Sequence, residues 1–172
     1  MTGVQTCALP IFAGCTGGEG DCTDPALVAA YFYMANSYDN LYRPARRGEP
    51  NNDALLTKAI DSYKKSASLD ANPQTKTLAL QYLVNAFGPD KLNDPSQSEP
   101  ILQQMIEMDP KDPANYFVLA GIYEQNGDYE TAEATLLKAR DAKPSDAAVY
   151  MQLAGFYNSQ GEFDKTIEAL QQ

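Results

Sequence analysis

Apolar residues in the second half of the chain recur with a helical spacing. From Tyr116 to Tyr123 they occupy positions i, i+3, i+4 and i+7, which lie on one face of an α-helix. Gly127 then interrupts the pattern, and Asp128 is placed to cap a second helix with its own apolar face. The pattern therefore predicts two helices joined by a short turn. Their apolar positions are Tyr116, Leu119, Ala120, Tyr123, Ala132, Leu136 and Ala139.

The pattern recurs at once with an offset of 34 residues, which is the period of the tetratricopeptide repeat (TPR). Tyr116 recurs as Tyr150, and Gly127 recurs as Gly161. The stretch 112–144 resembles the TPR family in its residues as well as its length, and two copies in register strengthen the resemblance. The positions that carry it are Tyr116, Leu119, Ala120, Tyr123, Gly127, Tyr129, Ala139 and Pro144.

The resemblance implies an all-α fold, a solenoid of about 3.5–4 stacked helix hairpins. Ala120 and Ala132 are expected to be small because the two helices of a hairpin approach closely there. Aromatic residues are expected to fill the space between hairpins, which no single hairpin buries alone. The predicted solenoid covers residues 24–172. Its repeats lie at about 25–73, 74–112, 113–146 and 147–172, the last of them incomplete.

The first predicted repeat contains an insert. Its first helix is expected to begin with Asp24 as the cap and Pro25 at the first helical position. An insert at 42–53 then separates the two helices and contains three arginines. It is interpreted either as a solvated loop or as a basic contact toward lipid headgroups or an acidic partner. The arginines are Arg43, Arg46 and Arg47.

The second predicted repeat is degenerate. Gly88 and Pro89 end its first helix, and Asp94 with Pro95 predicts the start of the second. Pro100 would remove an interior hydrogen bond unless that helix starts at Ser98 or bends.

The residues before the solenoid divide into two segments. Residues 1–11 resemble the translation of a common sequencing adapter and are interpreted as non-native. Residues 12–23 form a Gly-rich tether, in which Cys15 follows a small residue and resembles the lipidated cysteine of a bacterial lipobox. Alternatively, Cys15 and Cys22 form a small disulfide loop in an oxidising compartment.

The last predicted repeat stops at Gln172, before its closing proline. Its apolar residues Phe163, Ile167 and Leu170 have no following helix to cover them. We therefore expect the natural chain to continue beyond both ends of this sequence.

The amino-acid composition excludes several classes of partner and of functional site. The formal net charge of −10 argues against nucleic acid as a partner. The sequence contains no histidine, which excludes histidine-based catalytic triads and metal sites within it. No cofactor and no metal are expected. No apolar run approaches the roughly 20 residues of a membrane span, so a membrane contact is expected only through a lipid anchor.

The resemblance also places a binding groove along the first helices of the repeats. Asn36 and Asn85 fall at the family position whose amide often holds a ligand backbone. The family's carboxylate-clamp subtype needs Lys and Arg in the groove, which are absent, so acidic chaperone tails are not expected. An acidic and aromatic lining favours a neutral or basic partner. The predicted groove residues are Phe32, Asn36, Asp39, Asn40, Gln81, Asn85, Phe117, Glu124, Gln125, Met151, Asn158 and Ser159.

The sequence thus predicts a non-enzymatic scaffold that binds a peptide segment or a partner helix. A bacterial envelope lipoprotein, in the periplasm or at the outer membrane, is the leading hypothesis, and a cytoplasmic location is the alternative. A different class remains open, in which these repeats belong to a larger enzyme or sensor. Paired carboxylates such as Asp128 and Glu130 are interpreted as a helix cap and surface charge, since no concave apolar site is expected around them.

Overall fold

The computed structural model describes residues 25–69 and 72–172, and within them the chain forms eight α-helices and no β-strand. The all-α prediction is therefore confirmed. A short 3-10 helix, Pro44–Arg46, lies between α1 and α2. The α-helices are α1 Pro25–Leu41, α2 Pro50–Ser68, α3 Pro73–Phe87, α4 Pro95–Met108, α5 Pro113–Gln125, α6 Tyr129–Ala142, α7 Ala147–Ser159 and α8 Phe163–Leu170.

Proline marks the start of the first five helices. At the first helical position its fixed φ suits the helix, and its missing N–H group would have had no intrahelical partner. Each of these helices begins at a proline of the sequence, so the starts are encoded locally. The prolines are Pro25, Pro50, Pro73, Pro95 and Pro113.

Side-chain caps fix four of the helix starts. Asn72 accepts a hydrogen bond from the N–H of Thr75, and Asp128 accepts one from the N–H of Thr131. Asp112 and its repeat equivalent Asp146 cap α5 and α7 in the same way. The capping role predicted for Asp128 is confirmed.

The turns inside the last two hairpins require glycine. Gly127 has φ +77° and Gly161 has φ +75°, in the left-handed region where a Cβ atom costs about 1–2 kcal/mol. No heavy atom lies within 4 Å of the Cβ position at either glycine. Backbone conformation, and not lack of space, therefore requires glycine at both turns.

The 34-residue period extends to side-chain hydrogen bonds. The hydroxyl of Tyr116 donates to the carbonyl oxygen of Pro110 at 3.1 Å. The hydroxyl of Tyr150 donates to the carbonyl oxygen of Pro144 at 2.8 Å. The two tyrosines therefore occupy equivalent places in successive hairpins.

A second pair of tyrosines links each first helix to the helix before it. The hydroxyl of Tyr123 in α5 donates to Glu99 of α4 at 2.7 Å. The hydroxyl of Tyr157 in α7 donates to Glu133 of α6 at 2.9 Å. Since Glu99 lies in the degenerate repeat, α4 keeps the hydrogen-bonding role of a second helix although its sequence pattern is weak.

The chain divides into two compact units, one ending at Leu92 and one beginning at Asn93. In the first unit, α2 packs against both α1 and α3. In the second unit, α4 to α8 pack in succession along the chain. The division falls inside the stretch 74–112, between α3 and α4, and the repeat boundaries remain a prediction.

Buried alanines hold the second unit together. Ala120 of α5 and Ala132 of α6 are almost completely buried in one apolar cluster, together with residues of α7 and α8. By contrast, Phe163, Ile167 and Leu170 of α8 are each more than half exposed.

Two local predictions need adjustment. The insert between α1 and α2 is shorter than the predicted 42–53, because α2 already begins at Pro50. Helix α4 begins at Pro95 and contains Pro100 in its interior, so a start at Ser98 is wrong. Pro100 lies early in α4 and is exposed, so the hydrogen bond that it removes lies where solvent can replace it.

We predict that Ala120→Leu overpacks the α5–α6 hairpin. The added methylenes have no free volume to enter, so the free energy of unfolding should fall by about 1–3 kcal/mol in a denaturant melt. Ala134→Leu, at an exposed position of α6, is the matched control and should be nearly neutral. Equal effects of the two substitutions would contradict the packing.

A second prediction concerns alkaline pH. Burial, and then the Glu133 carboxylate, raise the pKa of Tyr157 to about 12. The ordinary pKa of tyrosine is about 10, so the fold favours the neutral phenol, and this contribution is complete below about pH 10 and lost as the pH rises toward 12.

The unfolding free energy of wild type should therefore fall more steeply between about pH 10 and 12 than that of Tyr157→Phe, as followed by urea melts. Tyr129→Phe removes a phenol that is about half exposed and should retain the wild-type slope. Parallel pH profiles for wild type and Tyr157→Phe would refute the burial of this phenol beside Glu133.

Candidate functional site

The predicted groove residues lie on the first helices of the hairpins and divide between the two units. Those of the first unit are on α1 and α3, and those of the second unit are on α5 and α7. The first-unit residues are Phe32, Asn36, Asp39, Asn40, Gln81 and Asn85. The second-unit residues are Phe117, Glu124, Gln125, Met151, Asn158 and Ser159.

Two contacts align α1 with α3. The rings of Phe32 and Tyr82 meet edge to face at 5.5 Å. Further along both helices, Asp39 pairs with Lys91, which lies just after the end of α3. Residue number rises in the same direction along both helices, so α1 and α3 run parallel. This alignment places Asn36 and Asn85 at about the same level of the two helices.

An aromatic cluster lies beneath one end of this surface. Tyr63 of α2 stacks on Tyr82 with ring centroids 5.2 Å apart and contacts Phe32 at 5.8 Å. Phe32 also meets Tyr33, a largely exposed residue, at 5.9 Å. The ring of Phe32 therefore packs against other aromatic rings and does not project freely into a groove.

The hydroxyl of Tyr63 is buried and has no hydrogen-bond partner among the described residues. Burial, followed by the nearby Asp39 carboxylate, raises the pKa of this phenol well above its usual value, and Asn36 also lies beside it. Both of these neighbours also have partners of their own within the chain. Asn36 accepts a hydrogen bond from Asn40 at 2.8 Å, and Asp39 pairs with Lys91.

The ion pair between Asp39 and Lys91 is largely removed from solvent. Its charged atoms are 2.5 Å apart, and the side chain of Asp39 is only 8% exposed whereas that of Lys91 is 21% exposed. A buried carboxylate requires such a partner, because its charge loses the stabilisation that water provides. Lys91 thus neutralises the acidic position that was predicted to line the groove.

Lys91 is carried by a turn and not by a helix. Within this turn the N–H of Lys91 donates to the carbonyl oxygen of Gly88, and the N–H of Leu92 donates to that of Ala86. The guanidinium of Arg47, from the insert, donates to the carbonyl oxygen of Pro89 at 3.3 Å. The insert between α1 and α2 therefore contacts the turn that follows α3.

The other arginines of the insert also have partners within the chain. Arg43 donates to the carbonyl oxygens of Asn40 and Tyr42 at the end of α1. Arg46 pairs with Glu49. These contacts are those of a folded surface loop, the first of the two interpretations, and a basic contact to an outside partner remains a prediction.

In the second unit the predicted residues differ in exposure. Phe117 is half-buried against the core cluster, and Glu124 is also half-buried. Met151 is 64% exposed. Ser159 donates to the carbonyl oxygen of Phe156 and so bonds within its own helix. The exposed polar residues are Gln125, Asn158 and Ser159.

Cys15, the candidate lipidation site, lies outside the described residues. So do residues 1–11, the tether 12–23 and the helix cap predicted at Asp24. In the described part of the chain, no group of three or more His, Cys, Asp or Glu side chains is arranged to hold a metal ion. None of the described helices is long and apolar enough to cross a membrane.

Residues 91–154 match the family model described as tetratricopeptide repeat. Over these residues the chain is similar to the tetratricopeptide repeat. The match begins in the degenerate repeat and ends within α7. It therefore includes the repeat 113–146 completely and the repeat 147–172 only in part. No significant match was found among curated protein sequences.

Solved structures of TPR proteins have the same fold. MamA is 21% identical, with 86% of this chain and 77% of that chain covered and a TM-score of 0.59. YrrB, described as a TPR protein with an unusual peptide-binding site, is 17% identical, with 86% and 68% covered and a TM-score of 0.55. MamA from residue 41 onward, from Desulfovibrio magneticus RS-1, is 15% identical, with 90% and 94% covered and a TM-score of 0.51.

The TPR register did not identify two residues of the first-unit site. Tyr82 follows the predicted groove residue Gln81 directly, and an aromatic residue beside that position was the available signal. Lys91 gave no signal, because it lies in the turn of a degenerate repeat and its partner Asp39 is far away in the sequence.

Because Phe117 is half-buried, truncating its side chain should affect the stability of the protein. A residue that only lined a groove could be truncated without loss of stability. Because the ring packs against the core cluster, we now predict a loss of about 1–2 kcal/mol of unfolding free energy. Met151→Ala, on the next first helix, should be close to neutral because Met151 is mostly exposed. The denaturation midpoints of both variants are measured and compared with that of wild type. An unchanged midpoint for Phe117→Ala would contradict the packing of Phe117 against the core cluster.

Proposed function

We propose that this protein is a non-enzymatic scaffold that binds an extended peptide segment of a partner protein on the first helices of its repeats. The α1–α3 surface, defined by Asn36, Gln81 and Asn85 with the Phe32–Tyr82 contact at one end, is the leading candidate. The observation that carries the proposal is the placement of Asn36 and Asn85 at one level of two parallel helices.

Two amides at one level suit a peptide backbone. Each amide offers a carbonyl oxygen as acceptor and an NH₂ group as donor, so it can hold both kinds of backbone group. Asn85 is exposed, and Asn36 is half-buried. Because side chains from neighbouring helices meet here, one segment can contact both.

The peptide-binding site described for YrrB supports a peptide as the class of ligand, since YrrB has the same fold. Charge supports a neutral or basic segment. The chain has a formal net charge of −10, and complementary charge favours encounter with such partners and disfavours nucleic acid. A partner helix on α5 and α7, near the exposed Met151, is the alternative mode.

The proposed cellular location rests on Cys15 alone. Its resemblance to a lipidated cysteine supports an envelope lipoprotein in the periplasm or at the outer membrane, and a cytoplasmic protein is the alternative. A lipid anchor followed by a Gly-rich tether would let the repeats reach partners away from the membrane surface.

The test is selection of binding peptides from a displayed library of random 12-residue segments, followed by titration of the selected peptides against variants. Asn85→Ala should weaken binding about tenfold, since each lost hydrogen bond is worth about 1 kcal/mol. Asn51→Ala removes an exposed amide from α2 and is the matched control.

If the selected peptides bind Asn85→Ala and wild type with equal affinity, the binding site is not on α1 and α3. If Met151→Ala then weakened them, the second-unit surface would be the site. Failure to select any peptide with saturable binding would refute the proposed class of ligand.

A further inference from the structure

We propose that the Asp39 site binds an arginine side chain of the bound segment, which takes the place of Lys91. The site comprises the Asp39 carboxylate, the Tyr63 hydroxyl and the Asn36 amide. This inference rests on the proposed function, because it names the residue of the peptide that the α1–α3 surface reads.

The first observation is an incompletely satisfied set of acceptors. Asp39 holds a buried negative charge that must be compensated, and Lys91 supplies the compensation. The buried Tyr63 hydroxyl beside it has no partner among the described residues. The ammonium group of Lys91 therefore compensates the charge of Asp39 but leaves the hydroxyl oxygen of Tyr63 without a hydrogen bond.

A guanidinium group fits this set better than an ammonium group. It presents five N–H donors in a fixed plane, so one group can donate to the carboxylate of Asp39 and to the hydroxyl oxygen of Tyr63 together. It is also more weakly hydrated than an ammonium group, which suits a carboxylate whose side chain is only 8% exposed.

The second observation is the origin of Lys91. It belongs to the turn Gly88–Leu92 and not to a helix, and its side chain is more exposed than that of Asp39. Exchange conserves charge at the site, because one cation leaves Asp39 as another arrives. Lys91 then acts as an intramolecular competitor that only a matching side chain displaces.

The competitor makes the proposal testable with a small probe. The probe is N-acetyl-arginine-N-methylamide, and its neutral isostere N-acetyl-citrulline-N-methylamide is the control. Titrations of the whole chain, followed by ¹H–¹⁵N spectra, use wild type, Lys91→Met and Lys138→Met. Lys138 is an exposed lysine of α6 and provides the matched substitution.

Removing the competitor should increase affinity for the arginine probe by roughly tenfold or more, because tethered groups compete at millimolar effective concentrations. Lys138→Met should leave affinity at the wild-type value. The arginine probe should also raise the melting temperature of Lys91→Met at constant ionic strength, because it restores a cation to Asp39. Citrulline should do neither.

Tyr63→Phe separates a binding role of the hydroxyl from a structural one. Since the hydroxyl lacks a partner, its removal should leave the melting temperature unchanged or raise it. Affinity for the arginine probe should nevertheless fall severalfold, while a lysine analogue of the probe should bind Tyr63→Phe and wild type alike.

Equal binding of arginine and citrulline probes, or arginine binding that survives Asp39→Asn in the Lys91→Met background, would overturn the proposal. Unchanged affinity on Lys91→Met would do the same. These outcomes leave the groove intact, because library peptides can still bind through Asn85. Loss of peptide binding in Asn85→Ala with no preference for arginine supports the groove and refutes this site.

Discussion

The close approach of two helices within each hairpin is the constraint on which the rest of the structure depends. Ala120, Ala132 and Ala139 of the second unit are buried, as are Ala35 and Ala59 of the first. A larger side chain at such a position would force the helices apart and open the contacts on either side of it. Small residues at these places therefore decide where the large ones pack, and the tyrosine–glutamate hydrogen bonds between successive helices follow from that spacing.

The same constraint determines which surfaces remain for binding. A first helix buries the face that carries its alanine against its partner helix, so its opposite face stays near solvent. In the first unit, the Phe32–Tyr82 contact joins α1 and α3, and Asn36 and Asn85 lie beside the buried faces, next in sequence to Ala35 and Ala86. The candidate surface therefore lies at the edge of the packed faces of α1 and α3.

Most of the fold was predictable from the sequence, because its signals are local. Asp128, Gly127 and the leading prolines act within one turn of the residue that carries them, and the period repeats them. The errors arose where one local signal competed with another. Pro50 starts α2 inside the stretch interpreted as an insert, and Pro100 is accommodated within α4. Phe117, which was predicted as a groove residue, is half-buried and packs against the core cluster.

The candidate site was less predictable, since its decisive contacts join residues far apart in the sequence. Lys91 meets Asp39 only because α3 runs beside α1, and no periodic pattern includes a residue in a degenerate turn. Tyr63 is the clearest case. Its ring stacking needs no hydroxyl, and a buried hydroxyl without a partner costs about 1–3 kcal/mol. Phenylalanine would supply the same stacking without that cost, so the apolar pattern alone does not explain a tyrosine at this position.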